Sequence, residues 1–408
     1  MDWAIIYRAF GVLFHFWPVW LPILLVYLSI VTWLSYKRRE WINAQEKVLL
    51  EIKIPPDIVK SPLSMEIFLQ ALHQPFAGNL TEVYFKGRVR IWFSLELVSE
   101  GGRVHFYIWT FASARKQVET QLYSVFPDVE IHEVPDYALA IHHDPTKYKF
   151  GKFSHIVLTK ADAYPIKTYI DYGLDKDPDE EYKNDPIAPV IEFLGSLKPG
   201  EHAWIQILLQ GHTKEGLNYG RIITKPDWKV AANAEIKKIL KEAKFQGEPG
   251  KDAPAPKPIA LSEGQKDTIK AIERSIDKNA FDSMIRVAYF AEEAVYNAAN
   301  IGGILGAFKQ FGSGNLNGFK PSSFIFEYPW QDFAGIRKTK SEKQMLEAYK
   351  RRGIFNEPFD NFHDDKPYIL TTEEVATLFH FPSVEAVATP TLTRIPSKKA
   401  QAPANLPV

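Results

Sequence analysis

The pair Gly101-Gly102, with the residues on either side of it, limits what this chain can fold into more than any other stretch. Before it, Val89, Ile91, Phe93, Leu95 and Leu97 alternate with Arg90, Trp92, Ser94 and Glu96. After it, Val104, Phe106 and Ile108 alternate with His105, Tyr107 and Trp109. A period of two is the signature of paired strands. Glycine at both central positions accepts the positive φ of a type I′ turn, so Glu100 should face Arg103, Leu97 face Phe106 and Leu95 face Ile108. One face of this hairpin is then apolar core. The same register gathers Trp92, Tyr107, Trp109 and Phe111 on the opposite face, where a one-sided antiparallel sheet normally shows polar residues to water. These four aromatics are expected to be covered, and they form the candidate partner surface.

The flanks of the hairpin extend the pattern. Residues 47–54 read as a strand closed by Pro55-Pro56. Ser61 caps a helix with Pro62 at its first position, and Met65, Phe68, Leu69 and Leu72 make its apolar stripe. Beyond the hairpin, Ser113 is placed to cap a helix that turns Val118, Leu122 and Val125 one way, and residues 129–134 read as a closing strand. The order βαββαβ predicts a ferredoxin-like unit over residues 44–137, with both helices on one sheet face and the other face open.

The second half, residues 150–328, repeats the plan. Strands are predicted at 154–159, 167–170, 203–210, around Ile285, Val287 and Tyr289, and at 323–327, with helices at 187–197 and 292–308. An insertion over 212–280 carries a lysine-rich helix near 231–243 and a helix opened by the Ser262/Gln265 capping box. The fold class is therefore α+β with two ferredoxin-like subdomains, whose open faces are expected to pack on each other. Residues 329–381 form a helical segment in which Thr371 and Glu374 make a capping box for a helix at 373–379, ended by Pro382. Residues 382–408 are an extended, proline-rich connector.

At the N-terminus no charged side chain stands between residues 9 and 36, and residues 14–34 match the length of about 20 apolar residues that crosses a bilayer core. Residues 1–40 are assigned as a single transmembrane anchor, kinked by Pro18 and Pro22, with Trp17, Trp20, Trp33 and Tyr36 as interfacial side chains. Lys37, Arg38 and Arg39 follow at once. By the positive-inside rule they place the bulk of the chain in the cytoplasm. A secretory signal would carry its basic cluster before the apolar run and a small-residue cleavage site after it, which is not the pattern here.

Lysine plus arginine equals aspartate plus glutamate at 49 each, so no global positive field draws the chain to nucleic acid. The absence of cysteine excludes disulfides, thiolate metal sites and cysteine nucleophiles. Gly151-Lys152-Phe153 and Gly250-Lys251-Asp252 lack the leading glycine and the hydroxyl of a phosphate-binding loop. His142-His143-Asp144 has no third ligand at a recognisable spacing, and the acidic run at 175–181 lacks the order of a calcium loop. No catalytic, cofactor or metal residue is assigned, and His380 reads by itself as a packed or capping histidine.

Two stretches carry a resemblance. The hairpin and helix from Trp92-Phe93-Ser94-Leu95-Glu96 through Phe106-Tyr107-Ile108 to Arg115, Val118, Glu119, Gln121, Leu122, Phe126 and Pro127 are one. The other is Tyr368-Ile369-Leu370-Thr371-Thr372-Glu373-Glu374-Val375-Ala376 with Leu378-Phe379-His380-Phe381-Pro382, then Ser397-Lys398-Lys399-Ala400 and Pro403-Ala404-Asn405-Leu406-Pro407. Together they resemble the membrane-proximal region and connector that precede the motor in bacterial type IV secretion and conjugation-like coupling ATPases. In those relatives the ATPase follows in the same polypeptide, whereas this sequence stops at Val408.

The resemblance implies no enzymatic activity here. It implies a bacterial inner-membrane assembly component, homo-oligomeric, that works with a separate P-loop ATPase. His380, Pro382, Lys398, Lys399, Asn405 and Pro407 would form its motor-docking tail, and Lys37, Arg38 and Arg39 would set its topology. The alternative from the residues alone is a membrane-tethered nucleic-acid-binding module that uses the open aromatic face and the lysines of 229–244.

Overall fold

A computed structural model describes residues 15–55, 60–175, 184–220, 227–246, 261–322, 330, 332, 335–356 and 365–382. The first element, α1 (Trp17–Ala44), is long and apolar enough to cross a membrane. Pro18 lies in its first turn, where a missing N–H leaves no bond unmade, and Pro22 lies inside it. Val19, Ile23 and Val26 are 62%, 67% and 60% exposed, which is not how a core helix is packed. From Leu34 onward the character changes, and Leu34 and Ile42 are buried against the rest of the chain.

Eight elements follow in the first half: β1 (Lys47–Lys53), α2 (Pro62–Leu72), α3 (Leu80–Tyr84), β2 (Trp92–Glu100), β3 (Arg103–Phe111), α4 (Ala112–Val125), β4 (Glu130–Val134) and α5 (Tyr137–Ala140). The hairpin register is the one predicted, with Glu100 opposite Arg103, Leu97 opposite Phe106 and Leu95 opposite Ile108. Gly101 and Gly102 take φ of 61° and 86°. A Cβ on Gly102 would also stand 2.5 Å from the Leu197 carbonyl oxygen, so both conformation and space call for glycine. Ser61 caps α2 by accepting the Leu63 N–H, and Met65, Phe68, Leu69 and Leu72 are fully buried beneath it. Ser113 does not cap α4. The helix starts at Ala112, directly from the last residue of β3, and leaves no loop in which a cap could form.

The second half holds β5 (Tyr148–Leu158), α6 (Ala188–Gly195), β6 (Glu201–Gly211), α7 (Trp228–Gln246), α8 (Glu263–Ile276), β7 (Ala280–Glu292), α9 (Ala299–Gly306) and β8 (Phe319–Pro321). Residues 167–170 are a turn and not a strand, because Asp171 accepts the backbone N–H and the hydroxyl of Thr168 and curls the chain. The helix expected at 292–308 is confined to α9, and the strand expected at 323–327 lies outside the described residues. Helices α7 and α8 share a small separate core of Trp228, Ala232, Ile239 and Ile272 with Ala163, Ala280 and Ile369. The Ser262/Gln265 capping box is present. After these come α10 (Ile336–Arg351), β9 (Tyr368–Thr371) and α11 (Thr372–Leu378).

The strands form one antiparallel sheet in the order β4-β1-β3-β2-β6-β7-β5-β8, with β9 alongside β7. Read outward from the β2–β6 seam, each half runs second strand, third, first, fourth. The two halves therefore do not stack face to face as expected. They join edge to edge, from Trp92–Gln210 to Glu100–His202, because β2 and β6 are buried along nearly their whole length. One sheet face carries α2, α4, α6 and α11, with Phe379 and Phe381 wedged against Phe106. The second face is not open. It is covered by the end of α1, by α5 and by α10.

Glu374 at the head of α11 is buried, with Oε1 accepting the Ile166 N–H at 2.9 Å and Oε2 accepting both the N–H and the hydroxyl of Thr371 at 2.8 Å. Burial outweighs these bonds and pushes its carboxyl from 4.5 up to about 7. The folded state thus binds this proton more tightly than the unfolded chain does. The contribution is fully present below the unfolded value and disappears as pH rises through about 7, by about 3 kcal/mol in all at about 1.4 kcal/mol per unit. Melting temperature is expected to fall as pH is raised across this window, and Glu374→Gln should flatten the dependence. An equal slope in both proteins would remove Glu374 as its source.

Candidate functional site

Six polar side chains stand in register across six strands: Glu51, Tyr107, Glu96, Gln206, Arg286 and His155. The alternation of the sheet puts them on the same face as Trp92 and Trp109. Glu96, Gln206, Arg286 and His155 are essentially inaccessible to water. A buried row of this kind needs partners for every polar atom, and the C-terminal end of α10 supplies most of them. Gln206 Nε2 donates to the Tyr349 carbonyl at 3.1 Å, and Arg286 donates to the carbonyls of Ala348 and Gly353 at 2.8 and 2.9 Å. Ala348 and Tyr349 lie in the last turn of α10 and Gly353 just beyond it, so the Arg286 charge meets the negative end of the helix dipole. Burial pulls the Arg286 guanidinium down to about 9, so it remains charged at neutral pH.

Arg352 closes the arrangement. It is the C-cap of α10 and the one non-glycine residue with positive φ, 49°, among the described residues. Its side chain turns back under the helix to meet Glu96 at 2.8 and 3.0 Å, while Asp136 accepts from the same guanidinium at 3.0 Å. Glu96 also accepts from Ser94, Gln206 and Tyr137. Burial pushes the Glu96 carboxyl up, but Arg352 and these donors outweigh it and hold it below its ordinary range. For Arg352, burial is likewise overcome by Glu96 and Asp136, and the guanidinium lies well above its usual value. The Trp92 indole donates to the Arg352 carbonyl at 2.7 Å. We call this closure the latch.

Immediately outside the latch lies a cleft of about 760 Å³. Its floor is Trp92 and Trp109, one wall is Arg39, Ile42 and Asn43 of α1, and another is Glu347, Lys350, Arg351 and Gly353 at the end of α10. Lys47, Glu133, Asp136 and His142 complete the charged rim. Burial lowers the Lys47 ammonium. The lining carries indoles and charges of both signs. Among the described residues no group of three or more His, Asp and Glu side chains is placed to hold a metal ion.

A family model described as a domain of unknown function, DUF8128, matches residues 29–393. The chain belongs to this family. No curated protein matches it. The DUF8128 span begins inside α1, so it takes in the part of the helix that packs on the body together with the latch and the cleft.

Within this DUF8128 chain the sequence-derived site residues separate into three groups. Trp92, Tyr107, Trp109 and Phe111 are together, but as an internal cluster 2%, 7%, 3% and 0% exposed and not as a free partner surface. Trp41 of α1 packs on Phe111, Tyr137 stacks on Tyr107, and Arg352 lies over Trp109, so the cover comes from the same chain. These four rings are therefore not exposed for bases to stack on. His380 and Pro382 are also buried, and are not part of a free tail. The His380 ring nitrogens face the Ala376 carbonyl and the Asp185 carboxylate, both at 2.9 Å. Lys398, Lys399, Asn405 and Pro407 lie outside the described residues.

Lys37 pairs with Glu40 at 2.7 Å, Arg38 donates to the Tyr219 carbonyl, and Arg39 borders the cleft. His143, from the histidine pair, stacks on Phe150 and meets Glu342 at 3.1 Å. What the residue pattern missed is Arg352, which stands 256 positions from Glu96 and belongs to no local motif.

Proposed function

We propose that this protein is a membrane-anchored, non-catalytic assembly component of a type IV secretion or conjugation-like translocation machine in the bacterial inner membrane. Its body is cytoplasmic, it forms homo-oligomers, and it works with a separately encoded P-loop ATPase. The observation that carries the reading is the continuity of α1, an exposed apolar helix whose last turns are built into the sheet face beside the latch. A span joined to its domain without a linker holds that domain at a fixed height and angle, as a platform for other subunits requires. The basic run Lys37-Arg38-Arg39 gives the sidedness. We further read each half as a ferredoxin-like unit. The strand order on either side of the seam and the βαββαβ succession support this. The link to secretion rests on the resemblance at the hairpin and at residues 368–407.

Membranes solubilised in mild detergent should yield a P-loop ATPase with this protein at native abundance, and removal of residues 383–408 should lose it. Recovery of the intact protein from membranes without an ATPase would overturn the motor-partner reading. The nucleic-acid alternative keeps one supporting feature, the exposed lysines 237, 238 and 241 of α7. It requires binding that weakens steeply with salt.

A further inference from the structure

We propose that α3, the turn after it and the 3-10 turn Leu217–Tyr219 form a lipid-contacting platform that seats the body on the bilayer beside α1. This rests on the reading of α1 as a membrane span. Four large apolar side chains on or next to these segments point outward: Phe76, Leu80, Phe85 and Leu217 are 68%, 55%, 64% and 62% exposed. In water, such a group marks an interaction surface.

The occupant follows from where the group sits. The Trp33 indole of α1 donates to the Tyr84 carbonyl at the end of α3 at 2.9 Å, and Arg38 donates to the Tyr219 carbonyl at 2.8 Å. Tyr84 in turn donates to the Leu217 carbonyl at 2.9 Å, and Tyr219 to the Pro75 carbonyl at 3.2 Å, tying the segments together. They grip α1 across the level at which its uncharged run gives way to Lys37. At 1.5 Å per residue a hydrocarbon core of about 30 Å takes about 20 residues, so a span that uses this run reaches the headgroup boundary near Trp33 and Tyr36. The platform is held at that boundary, where apolar side chains enter the acyl region. Exposed Lys86 and Lys214 flank them, the arrangement that suits an anionic lipid surface.

Because the chain has no cysteine, single cysteines can be placed and labelled cleanly. The full chain would be reconstituted in vesicles of phosphatidylethanolamine and phosphatidylglycerol, with an environment-sensitive fluorophore at Phe85→Cys, Leu217→Cys, Ile23→Cys or Arg103→Cys. Arg103 is the exposed control at the far end of the hairpin, about 30 Å of strand away. Nitroxide lipids are expected to quench most of the emission at positions 85, 217 and 23 but not at 103, with aqueous iodide giving the reverse.

Quenching at 85 and 217 by iodide alone, with position 23 still quenched by lipid, would overturn the platform and leave the span standing. Failure of lipid quenching at position 23 would overturn the span itself, and the platform with it. Protection of 85 and 217 from both quenchers would assign the patch to a protein contact and refute the proposal.

Discussion

Arg352→Leu is expected to lower stability toward urea by about 3–5 kcal/mol, the loss found when one partner of a buried ion pair is removed. Glu96 would stay in place with 0% exposure and lose two bonds to a cation, with only neutral donors remaining. Asp136 would lose its cation as well and keep the Ala138 N–H. The Trp92 indole reports the change directly, since it donates to the Arg352 backbone beside the cleft. The double variant Glu96→Leu, Arg352→Leu should regain part of the loss, because replacing both partners leaves no uncompensated charge at position 96. Recovery will be incomplete, as Ser94, Gln206 and Tyr137 would still lack their shared acceptor. A loss below about 1 kcal/mol in the single variant, the range of a surface ion pair, would show that the latch is not closed in solution.

The second large effect is expected at Gly87. Its φ is +70°, and a Cβ there would lie 2.2 Å from the carbonyl carbon and oxygen of Lys37 and 2.6 Å from the Arg38 nitrogen. The atoms in the way are helix backbone, which does not rotate aside. Gly87→Val should therefore push α1 away from α3, with a penalty of about 3 kcal/mol from the clash and the left-handed backbone together. Once undocked, Lys37 and Arg38, half-buried in the wild type, become open to trypsin, so limited proteolysis in detergent should cut the variant there faster than the wild type. Gly314→Ala, with nothing within 4 Å of its Cβ, is the control. Equal proteolysis of variant and wild type would mean that α1 is not held at this contact.

What could be read beforehand follows the distance over which each choice is made. The hairpin was legible because its register is set by two adjacent glycines and a period of two, both local. The capping boxes at Ser262 and Thr371 were legible for the same reason, each closing within one turn. The aromatic face was recognisable as anomalous, but its cover comes from Trp41, Tyr137 and Arg352, brought in from far along the chain in both directions. The seam was hidden because β2 and β6 pair across a long stretch of sequence and no local turn specifies their register. The second half was blurred by the helices inserted between β6 and β7. His380, taken by resemblance as part of a docking tail, illustrates the opposite error, a motif match whose local packing is internal.

The seam has a consequence for self-association. A strand's unpaired edge is a template on which another chain can add itself without limit. Here the longest candidate edges, β2 and β6, are consumed by each other. At the two ends of the main strand order stand β4, five residues that include Glu130 and Glu133, and β8, three residues ending in Pro321, which has no N–H to give. Among the described residues the main strand order therefore ends in two short strands that template poorly. In the membrane assembly proposed above, subunits would meet through side-chain surfaces, whose geometry can close, and would be steered away from the fibre-forming contacts that an open ribbon invites.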